Sequence, residues 1–193
     1  PDAKLYQGMI TNAVEQIKNT YDPRFGGFGR APKFPRPSEP ILVLWQSARS
    51  KNKDGIGMVT HTCDQMVAGG IYDQIGGGFA RYSVDEKWLV PHFEKMLYDN
   101  AQLIHLYLDA YLVSGEERHA NVVHDIIRYL KRDMTHKDGG WYSAEDADSE
   151  GQEGKFYCWT KKQLEEILTE EEAKLAIDYF GITEKGNFED HSH

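Results

Sequence analysis

The sequence predicts an all-α protein in which helical hairpins follow one another in series, as in a solenoid or a closed toroid. Apolar residues recur at helical spacing along most of the 193 residues. Three loops share a Gly-Gly-aromatic motif, at residues 26–28, 77–79 and 139–141. Successive motifs are 51 and 62 residues apart, about the length of two helices and a connection. We therefore expect about three hairpins, with these loops gathered at one end.

Helical periodicity and capping residues predict seven helices. In order they are a segment with apolar residues from Leu5 to Ile17, one capped by Ser38, one from about Met58 to Val67, one from about Phe93 to Val113, one from Val122 to Met134, and two short helices opened by Thr160 and Thr169. Thr160 and Thr169 each stand three residues before Gln or Glu, the pattern of a capping box. Pro91 favours a helix that starts immediately after it. Each Gly-aromatic loop is expected to contain a small β-hairpin.

Composition and charge exclude several classes of protein. Hydrophobic residues make up 40% of the sequence and the net charge is −9, so we expect a globular domain without a nucleic-acid or membrane partner. The two cysteines, Cys63 and Cys158, lie far apart, which argues against a disulfide framework and a zinc site. We interpret them as buried thiols in a reducing compartment, and we expect a cytoplasmic protein without a metal or other cofactor.

The first candidate site is a glycine-rich loop over residues 69–82, which carries Asp73 and Gln74. It matches neither a P-loop nor a dinucleotide-binding motif. The carboxylate and amide of Asp73 and Gln74 predict hydrogen bonds to a ligand. The structural alternative is an Asp side chain that caps backbone N–H groups of the turn.

The second candidate site follows Pro91 and contains His92, Glu94, Tyr98 and Asp99. If a helix begins there, Glu94 and Tyr98 share one face, and His92 lies at the helix start. Histidine and glutamate can transfer protons near neutral pH when their surroundings shift their pKa values. The structural alternatives are a helix-dipole role for Glu94 and a hydrogen-bonded structural role for His92, each favoured when the residue is considered alone.

The third candidate site is the acidic segment from Ser143 to Tyr157. Asp146, Asp148 and Glu150 resemble the first half of a calcium loop, but the twelfth position is Tyr157 instead of the bidentate Glu. Calcium is therefore a weak hypothesis beside a solvated acidic loop. Alternatively, some of these carboxylates bind substrate hydroxyls, and we include Glu145, Asp146 and Asp148 among the candidates.

Aromatic and cationic residues in the same loops complete a predicted lining for a small polar ligand. Flat rings beside carboxylates and amides suit a sugar, which is apolar on its C–H faces and polar at its edges. The expected substrate-binding residues in these loops, besides those named above, are Arg81, Tyr82, Trp88, Phe28, Lys33 and Trp141. For most of the aromatic residues, packing inside the loop is the structural alternative.

Several long motifs resemble the thioredoxin-domain-containing, spermatogenesis-associated protein family. They are the stretches 22–28, 31–35, 70–82, 91–99 and 143–157, among them Pro91-His92-Phe93-Glu94-Lys95-Met96-Leu97-Tyr98-Asp99. The resemblance implies that residues 1–193 are a single fragment, an incomplete (α/α) six-hairpin toroid of about half a ring, similar to N-acylglucosamine 2-epimerases and six-hairpin glycosidases. It further implies that a thioredoxin-like domain and the later hairpins of the family lie outside this sequence. Those missing domains are expected partners, and an open ring predicts self-association.

Two functional hypotheses follow. In the first, the protein is a sugar epimerase or glycoside hydrolase, or a carbohydrate-binding module, with His92 and Glu94 as the proton-transfer pair and Asp73 and Asp99 as orienting groups or a second acid. Carbohydrate chemistry is implied by fold analogy alone. In the second hypothesis the module is a non-catalytic scaffold for a protein partner. Convergence of Asp73, His92 and Glu94 on one cavity would favour the first, and backbone caps and salt bridges at their side chains would favour the second.

Overall fold

A computed structural model describes residues 3–188, and side chains from residue 6 onward in the first helix. The helices are α1 (Ala3–Lys18), α2 (Ser38–Ser50), α3 (Lys53–Ala68), α4 (Leu97–Ser114), α5 (Glu117–Asp133), α6 (Lys161–Ile167) and α7 (Glu170–Phe180). The strands are β1 (Lys95–Met96), β2 (Ala144–Glu145), β3 (Asp148–Ser149) and β4 (Gln152–Glu153). The chain divides into two compact units, 1–147 and 148–193. The predicted Leu5 side chain lies outside the described part.

The first unit is built from hairpins. Helices α2 and α3 pack on each other and are joined by Lys51-Asn52, and α4 and α5 are joined by Gly115-Glu116. Asn52 accepts hydrogen bonds from the backbone N–H groups of Asp54 and Gly55 and so starts α3, while Gly115, with φ of 74°, ends α4. Because the connections within hairpins are short, the long loops between hairpins lie at the opposite end of the helices.

The core of the first unit lies between these helices and the loop residues that cover their ends. Its largest fully buried side chains include Leu44, Met66, Phe79, Trp88, Leu103, Tyr107 and Tyr129. Helix α5 is the most clearly amphipathic, with Val122, Ile126 and Tyr129 on its buried face. Cys63 is buried in this core as predicted, whereas Cys158 is exposed, which corrects the expectation of two buried thiols.

The fourth helix begins at Leu97, and the prediction of a start near Phe93 was wrong. Residues Lys95 and Met96 instead form β1, which pairs antiparallel with Glu145 and Ala144 of β2. Phe93 has a φ of 65°, which lies outside the helical region. Glu94 and Tyr98 therefore do not share a helical face. The prediction that Ser38 caps α2 was also wrong, because Pro37 occupies the N-cap position and no side chain caps it.

The first two Gly-aromatic loops share one backbone geometry, and the third is a similar loop that is one residue shorter. The N–H groups of Asp22, Asp73 and His136 donate to the carbonyl oxygens of Gly27, Gly78 and Gly140, at 2.9, 3.0 and 3.1 Å. A single β-bridge closes each loop, joining Tyr21 to Phe28, Tyr72 to Phe79, and Thr135 to Trp141. The predicted repeat is confirmed, although each predicted β-hairpin is reduced to one bridge.

The first two loops also share a buried lysine. Lys33 Nζ donates to Asp22 Oδ2 at 2.7 Å and lies 5.1 Å from the ring centre of Trp88. Lys95 Nζ donates to Asp73 Oδ2 at 2.8 Å and lies 4.4 Å from the ring centre of Tyr129. These arrangements, one Asp, one Lys and one aromatic ring each, are called the lysine brackets below. Each bracket neutralises a buried charge and ties its loop to residues distant in the sequence.

The second unit contains the β3–β4 hairpin and helices α6 and α7. Thr160 and Thr169 form the predicted capping boxes, each accepting from the N–H of the residue three positions on, Gln163 and Glu172. Leu164 and Ala173 are its buried helix residues. Asp148 pairs with Glu153 across the hairpin. Capping boxes use contacts within one turn, which is why the sequence alone predicted both.

Candidate functional site

The Asp73 side chain makes its hydrogen bonds to the backbone of its own loop and to Lys95. Its Oδ1 accepts hydrogen bonds from the N–H groups of Ile75 and Gly76, at 3.0 and 2.8 Å, and its Oδ2 accepts from Lys95. Burial alone would raise the pKa of this carboxyl, but the charge of Lys95 and the hydrogen bonds hold its pKa below the ordinary value. The structure thus places Asp73 in a backbone cap and an ion pair, which was the structural alternative. We assign it a positioning role.

Several other predicted ligand-binding residues support the loops from inside. Phe28, Lys33 and Trp88 are buried, which favours the structural alternative of packing inside the loop over a place in the lining of a ligand site. Trp88 donates through Nε1 to the carbonyl oxygen of Phe25 at 2.8 Å. Gln74 is exposed, but its amide donates to the carbonyl oxygens of Val67 and Gly69 at 2.7 and 3.1 Å.

One group of predicted residues does come together, around Arg81. Its guanidinium Nη1 donates to Glu94 Oε2 at 3.3 Å, and its backbone N–H donates to the Glu94 carbonyl oxygen at 2.8 Å. Asp99, in the first turn of α4, is close enough to Arg81 and Glu94 for both charges to act on its pKa. Tyr98 faces the same guanidinium and is 47% exposed. We call Arg81, Glu94, Tyr98 and Asp99 the Arg81 cluster.

The backbone between His92 and Glu94 is in an unusual conformation. Phe93 has a φ of 65°, and the N–H of Glu94 donates to the carbonyl oxygen of His92 at 2.9 Å, which makes a tight γ-turn. A positive φ is costly for a bulky residue and persists only where its surroundings hold it. Here the Phe93 ring is buried and the next two residues pair in β1. The turn aims Glu94 at Arg81, a placement that a helix over the same residues would not produce.

Three rings form a partly exposed stack beside this turn. Phe34 and Tyr82 are stacked with ring centres 4.6 Å apart and planes inclined by 30°, and Tyr82 and His92 are stacked with centres 4.7 Å apart. All three side chains are partly exposed. His92 is therefore held flat against a neighbouring ring. The stack offers flat ring faces next to the polar edge of the His92 imidazole.

Asp99 has the most perturbed carboxyl of the cluster. Its Oδ2 is inaccessible to solvent and accepts no hydrogen bond, in a residue that is itself partly exposed. Burial, reinforced by the negative charge of Glu94 and opposed by Arg81, raises the pKa of Asp99 to about 6. An acid with such a pKa holds and releases its proton near neutral pH, which is the property required of a general acid or base.

Replacement of Asp99 by asparagine is expected to stabilise the protein above pH 6. Because the pKa of Asp99 is higher in the folded protein than in the unfolded chain, the protonated form stabilises the fold. This contribution is fully present below about pH 4 and is lost as the pH rises to about 6. Asparagine mimics the protonated acid and does not titrate. After allowance for solvent screening, Asp99→Asn should gain about 1–2 kcal/mol at pH 7 and almost nothing at pH 4.

Urea unfolding at pH 4, 5, 6 and 7 measures this difference, with exposed Asp54→Asn in α3 as the control. An Asp99→Asn gain that does not vary with pH would mean that the carboxyl is not perturbed as described.

The remaining predicted residues lie elsewhere on the loops. Trp141 is 52% exposed on the third Gly-aromatic loop, and Asp146 is exposed beyond β2. Glu145 accepts a hydrogen bond from the Tyr129 hydroxyl at 2.7 Å and so extends the second lysine bracket. Asp148 belongs to the second unit. None of these four is placed in the Arg81 cluster by a described contact.

Sequence reasoning missed Asn100, which connects the cluster to the glycine-rich loop. Its Oδ1 accepts from the N–H of Phe79 at 2.8 Å, and its Nδ2 donates to the carbonyl oxygen of Phe79 at 3.0 Å. The residue is fully buried. An asparagine in an apolar helix is the only sequence signal for this contact, because its partner lies 21 positions away.

Residues 3–188 hold no group of three or more His, Cys, Asp or Glu side chains arranged to bind a metal ion. Within the same range, none of the helices has the length and apolar character needed to cross a membrane.

Comparison with known proteins identifies long, curated relatives. The chain is 41% identical over 199 residues to spermatogenesis-associated protein 20 of Mus musculus, and 42% identical over 193 residues to that of Homo sapiens. These matches cover 93% and 90% of this chain, but 25% and 24% of the relatives. The chain thus spans about a quarter of the length of the curated relatives it matches. No protein-family model matches the chain.

Two solved structures of similar fold are described as cellobiose 2-epimerases. Cellobiose 2-epimerase from Bacillus thermoamylovorans is similar with a TM-score of 0.59 and 12% identity, covering 91% of this chain and 54% of that one. Cellobiose 2-epimerase from Spirochaeta thermophila gives a TM-score of 0.57 and 18% identity, covering 74% and 40%. These likenesses and the helical architecture confirm the predicted fold class, an α/α toroid of which the chain forms a part.

Proposed function

We propose that the Arg81 cluster is part of a carbohydrate site, in which Asp99 transfers a proton and Arg81 and Glu94 hold sugar hydroxyls. The observation that carries the proposal is the Asp99 carboxyl, with a buried oxygen lacking a hydrogen-bond donor and a pKa of about 6. A proton-transferring group works best when its pKa lies near the operating pH. Asp99 meets that condition.

The surroundings of Asp99 suit a sugar ring. Arg81 and Glu94 form an ion pair, and their side chains are 42% and 26% exposed, respectively. Both groups can therefore bind hydroxyls at the ring edge. Tyr98 and the stack of Phe34, Tyr82 and His92 offer flat apolar faces for ring C–H groups. A few placed polar groups among aromatic rings are usual in small-molecule sites.

The fold supports an epimerase-like reaction by analogy. Two neighbours with the same fold are described as cellobiose 2-epimerases, although fold alone does not imply chemistry. Epimerisation needs a base on each face of one carbon, and a second base in this proposal comes from sequence beyond these hairpins. His92 is retained as a lining residue, while Asp73 is assigned to support of the loop.

A non-catalytic scaffold, attached to a thioredoxin-like domain, is the second candidate function. Asp73 and Gln74 are engaged with backbone groups, and Glu94 with Arg81. Those contacts stabilise the loops and need no ligand, as expected of a scaffold. The two candidates differ in whether the Arg81 cluster binds a small saccharide.

Saccharide binding by the full-length protein is the deciding measurement. We expect ligand-detected NMR to show binding of at least one mono- or disaccharide, and we expect that binding to disappear in the double variant Arg81→Gln, Glu94→Gln. In the partly exposed pair these changes remove charges without opening a cavity. Asp54→Asn is the matched control, since Asp54 lies at the start of α3, where the helices of the hairpin are joined by a short connection.

Proton transfer is tested on whichever sugar binds. Deuterium uptake from D2O into its carbon-bound positions should occur in the wild-type protein and fall by about 100-fold or more in Asp99→Asn. If no sugar binds, or if the double variant binds as the wild type does, the site assignment is wrong and the scaffold is favoured.

A further inference from the structure

A groove between α2 and α4 continues from the Arg81 cluster. It has a volume of about 280 Å³ and is lined by Ser38, Ile41, Leu42, Trp45, Gln102 and His105. Gln102 lies one helical turn beyond Tyr98 of the cluster, and its Nε2 donates to the Tyr98 carbonyl oxygen at 3.2 Å. His105 lies a further turn along the same face of α4. We call this feature the Trp45 groove.

The lining of the Trp45 groove is apolar at its base and polar at its edge. Ile41 and Leu42 are partly buried, whereas the side chains of Ser38, Gln102 and His105 are exposed. Of the six described residues that line the groove, none is an acid, a lysine or an arginine. Apolar surface with a few polar groups around it suits a neutral sugar unit, whose C–H face is apolar and whose edge carries hydroxyls.

Trp45 presents a fixed aromatic face in this groove. Its side chain is 57% exposed, which is high for a tryptophan in a folded protein. Its Nε1 donates to Asp109 Oδ2 at 2.7 Å, and this hydrogen bond joins α2 to α4. The only N–H of the indole is thus satisfied, and the surface that remains exposed is the apolar ring. Because Asp109 fixes the ring beforehand, a ligand that stacks on it loses less conformational entropy.

We propose that the Trp45 groove is a second sugar subsite, in which a neutral sugar unit stacks on Trp45 beside the unit held by the Arg81 cluster. The inference rests on the proposed carbohydrate site and adds the size of its ligand, a neutral disaccharide or longer saccharide. Tyr98 and His105 are separated by about 10 Å along the helix axis. A single sugar unit at Arg81 therefore leaves the Trp45 ring uncovered, and a second unit is needed to reach it.

The structural alternative is that Trp45 only braces α2 against α4 through Asp109. Two substitutions separate the alternatives. Trp45→Leu and Trp45→Phe both remove the hydrogen bond to Asp109, but only phenylalanine keeps a flat ring for stacking. A brace predicts the same effect on binding for both variants, whereas a stacking surface predicts that Trp45→Phe retains most of the affinity. Thermal melting checks that both variants are folded.

A panel of neutral sugars tests the subsite at pH 7 on the full-length protein. Dissociation constants are measured by ligand-detected NMR titration for glucose, mannose and galactose and for cellobiose, maltose and lactose. We expect at least one disaccharide to bind about tenfold more tightly than every monosaccharide. In Trp45→Leu the disaccharide should lose this advantage, and in Trp45→Phe it should keep most of it. Trp159→Leu is the matched control, since Trp159 is 45% exposed in the second unit.

Two results would overturn the inference and leave the Arg81 cluster as a monosaccharide site. One is that no disaccharide binds more tightly than the monosaccharides, and the other is that Trp45→Leu and Trp45→Phe bind the disaccharide equally. Tighter binding of phenyl β-glucoside than of every disaccharide would also overturn it, because the groove would then accept an apolar group instead of a sugar unit. If no saccharide binds at all, both this inference and the proposed function fall.

Discussion

Replacement of Gly78 by alanine is expected to lower the free energy of unfolding by about 3–5 kcal/mol. Gly78 has a φ of 79°, which costs a residue with a Cβ about 1–2 kcal/mol. An added Cβ would lie 2.5 Å from Cδ1 of Tyr129. The Tyr129 ring cannot move aside easily, because it is fully buried, bonded to Glu145 and covered by Lys95.

Gly140→Ala is a control at the same position of the third loop. Gly140 has nearly the same φ, 81°, but an added Cβ would meet no atom within 4 Å. We therefore expect a loss of only about 1–2 kcal/mol, which is the cost of the backbone conformation. Urea unfolding of both variants separates the two costs. Equal losses would show that contact with Tyr129 is not what demands glycine at residue 78.

Replacement of Asp73 by alanine is expected to lower the free energy of unfolding by about 3–5 kcal/mol. The change leaves the Lys95 ammonium buried without its carboxylate, and it removes the cap of two backbone N–H groups. Exposed Asp138→Ala in the third loop should change stability by less than about 0.5 kcal/mol. Chemical denaturation of the two variants makes the comparison.

A double variant identifies the cause of the loss. Asp73→Asn with Lys95→Met keeps a side-chain oxygen for the backbone cap and removes both charges, so it should recover at least half of the loss. If the double variant recovers none of the lost stability, the loss comes from the missing backbone cap and not from the unpaired Lys95 charge.

The contribution of Asp73 to the stability of the wild-type protein depends on pH in the opposite sense to that of Asp99. Because the pKa of Asp73 is lowered, its contribution is present above about pH 4 and lost at lower pH.

Much of the helical framework could be predicted from the sequence because its signals are local. The capping boxes at Thr160 and Thr169 and the glycine that ends α4 act within one helical turn. The three Gly-aromatic loops close with similar backbone hydrogen bonds, the third one residue shorter, because they share glycines at positive φ. The stretch after Pro91 is a candidate site because of its density of titratable residues, and its role as a site stays a prediction.

The roles within that site could not be predicted from the sequence. Spacing gave Asp73, His92, Glu94 and Asp99 similar weight. In the structure the pKa of Asp73 is lowered by Lys95, while the pKa of Asp99 is raised by burial. The lysine or arginine that acts on each of these carboxyl groups lies more than ten residues away in the sequence, so no local pattern predicts the pKa shift.

By itself, the sequence determined that this protein is a series of helical hairpins with glycine-rich, aromatic loops, since periodicity, capping and positive φ depend on neighbours in the chain. Tertiary structure alone decided where α4 begins, because Lys95 and Met96 pair with residues about 50 positions away. It also decided which glycine is tightly packed and which carboxyl has a pKa raised by burial. Those properties depend on burial and on charges brought together by folding, so they exist only once the chain is folded.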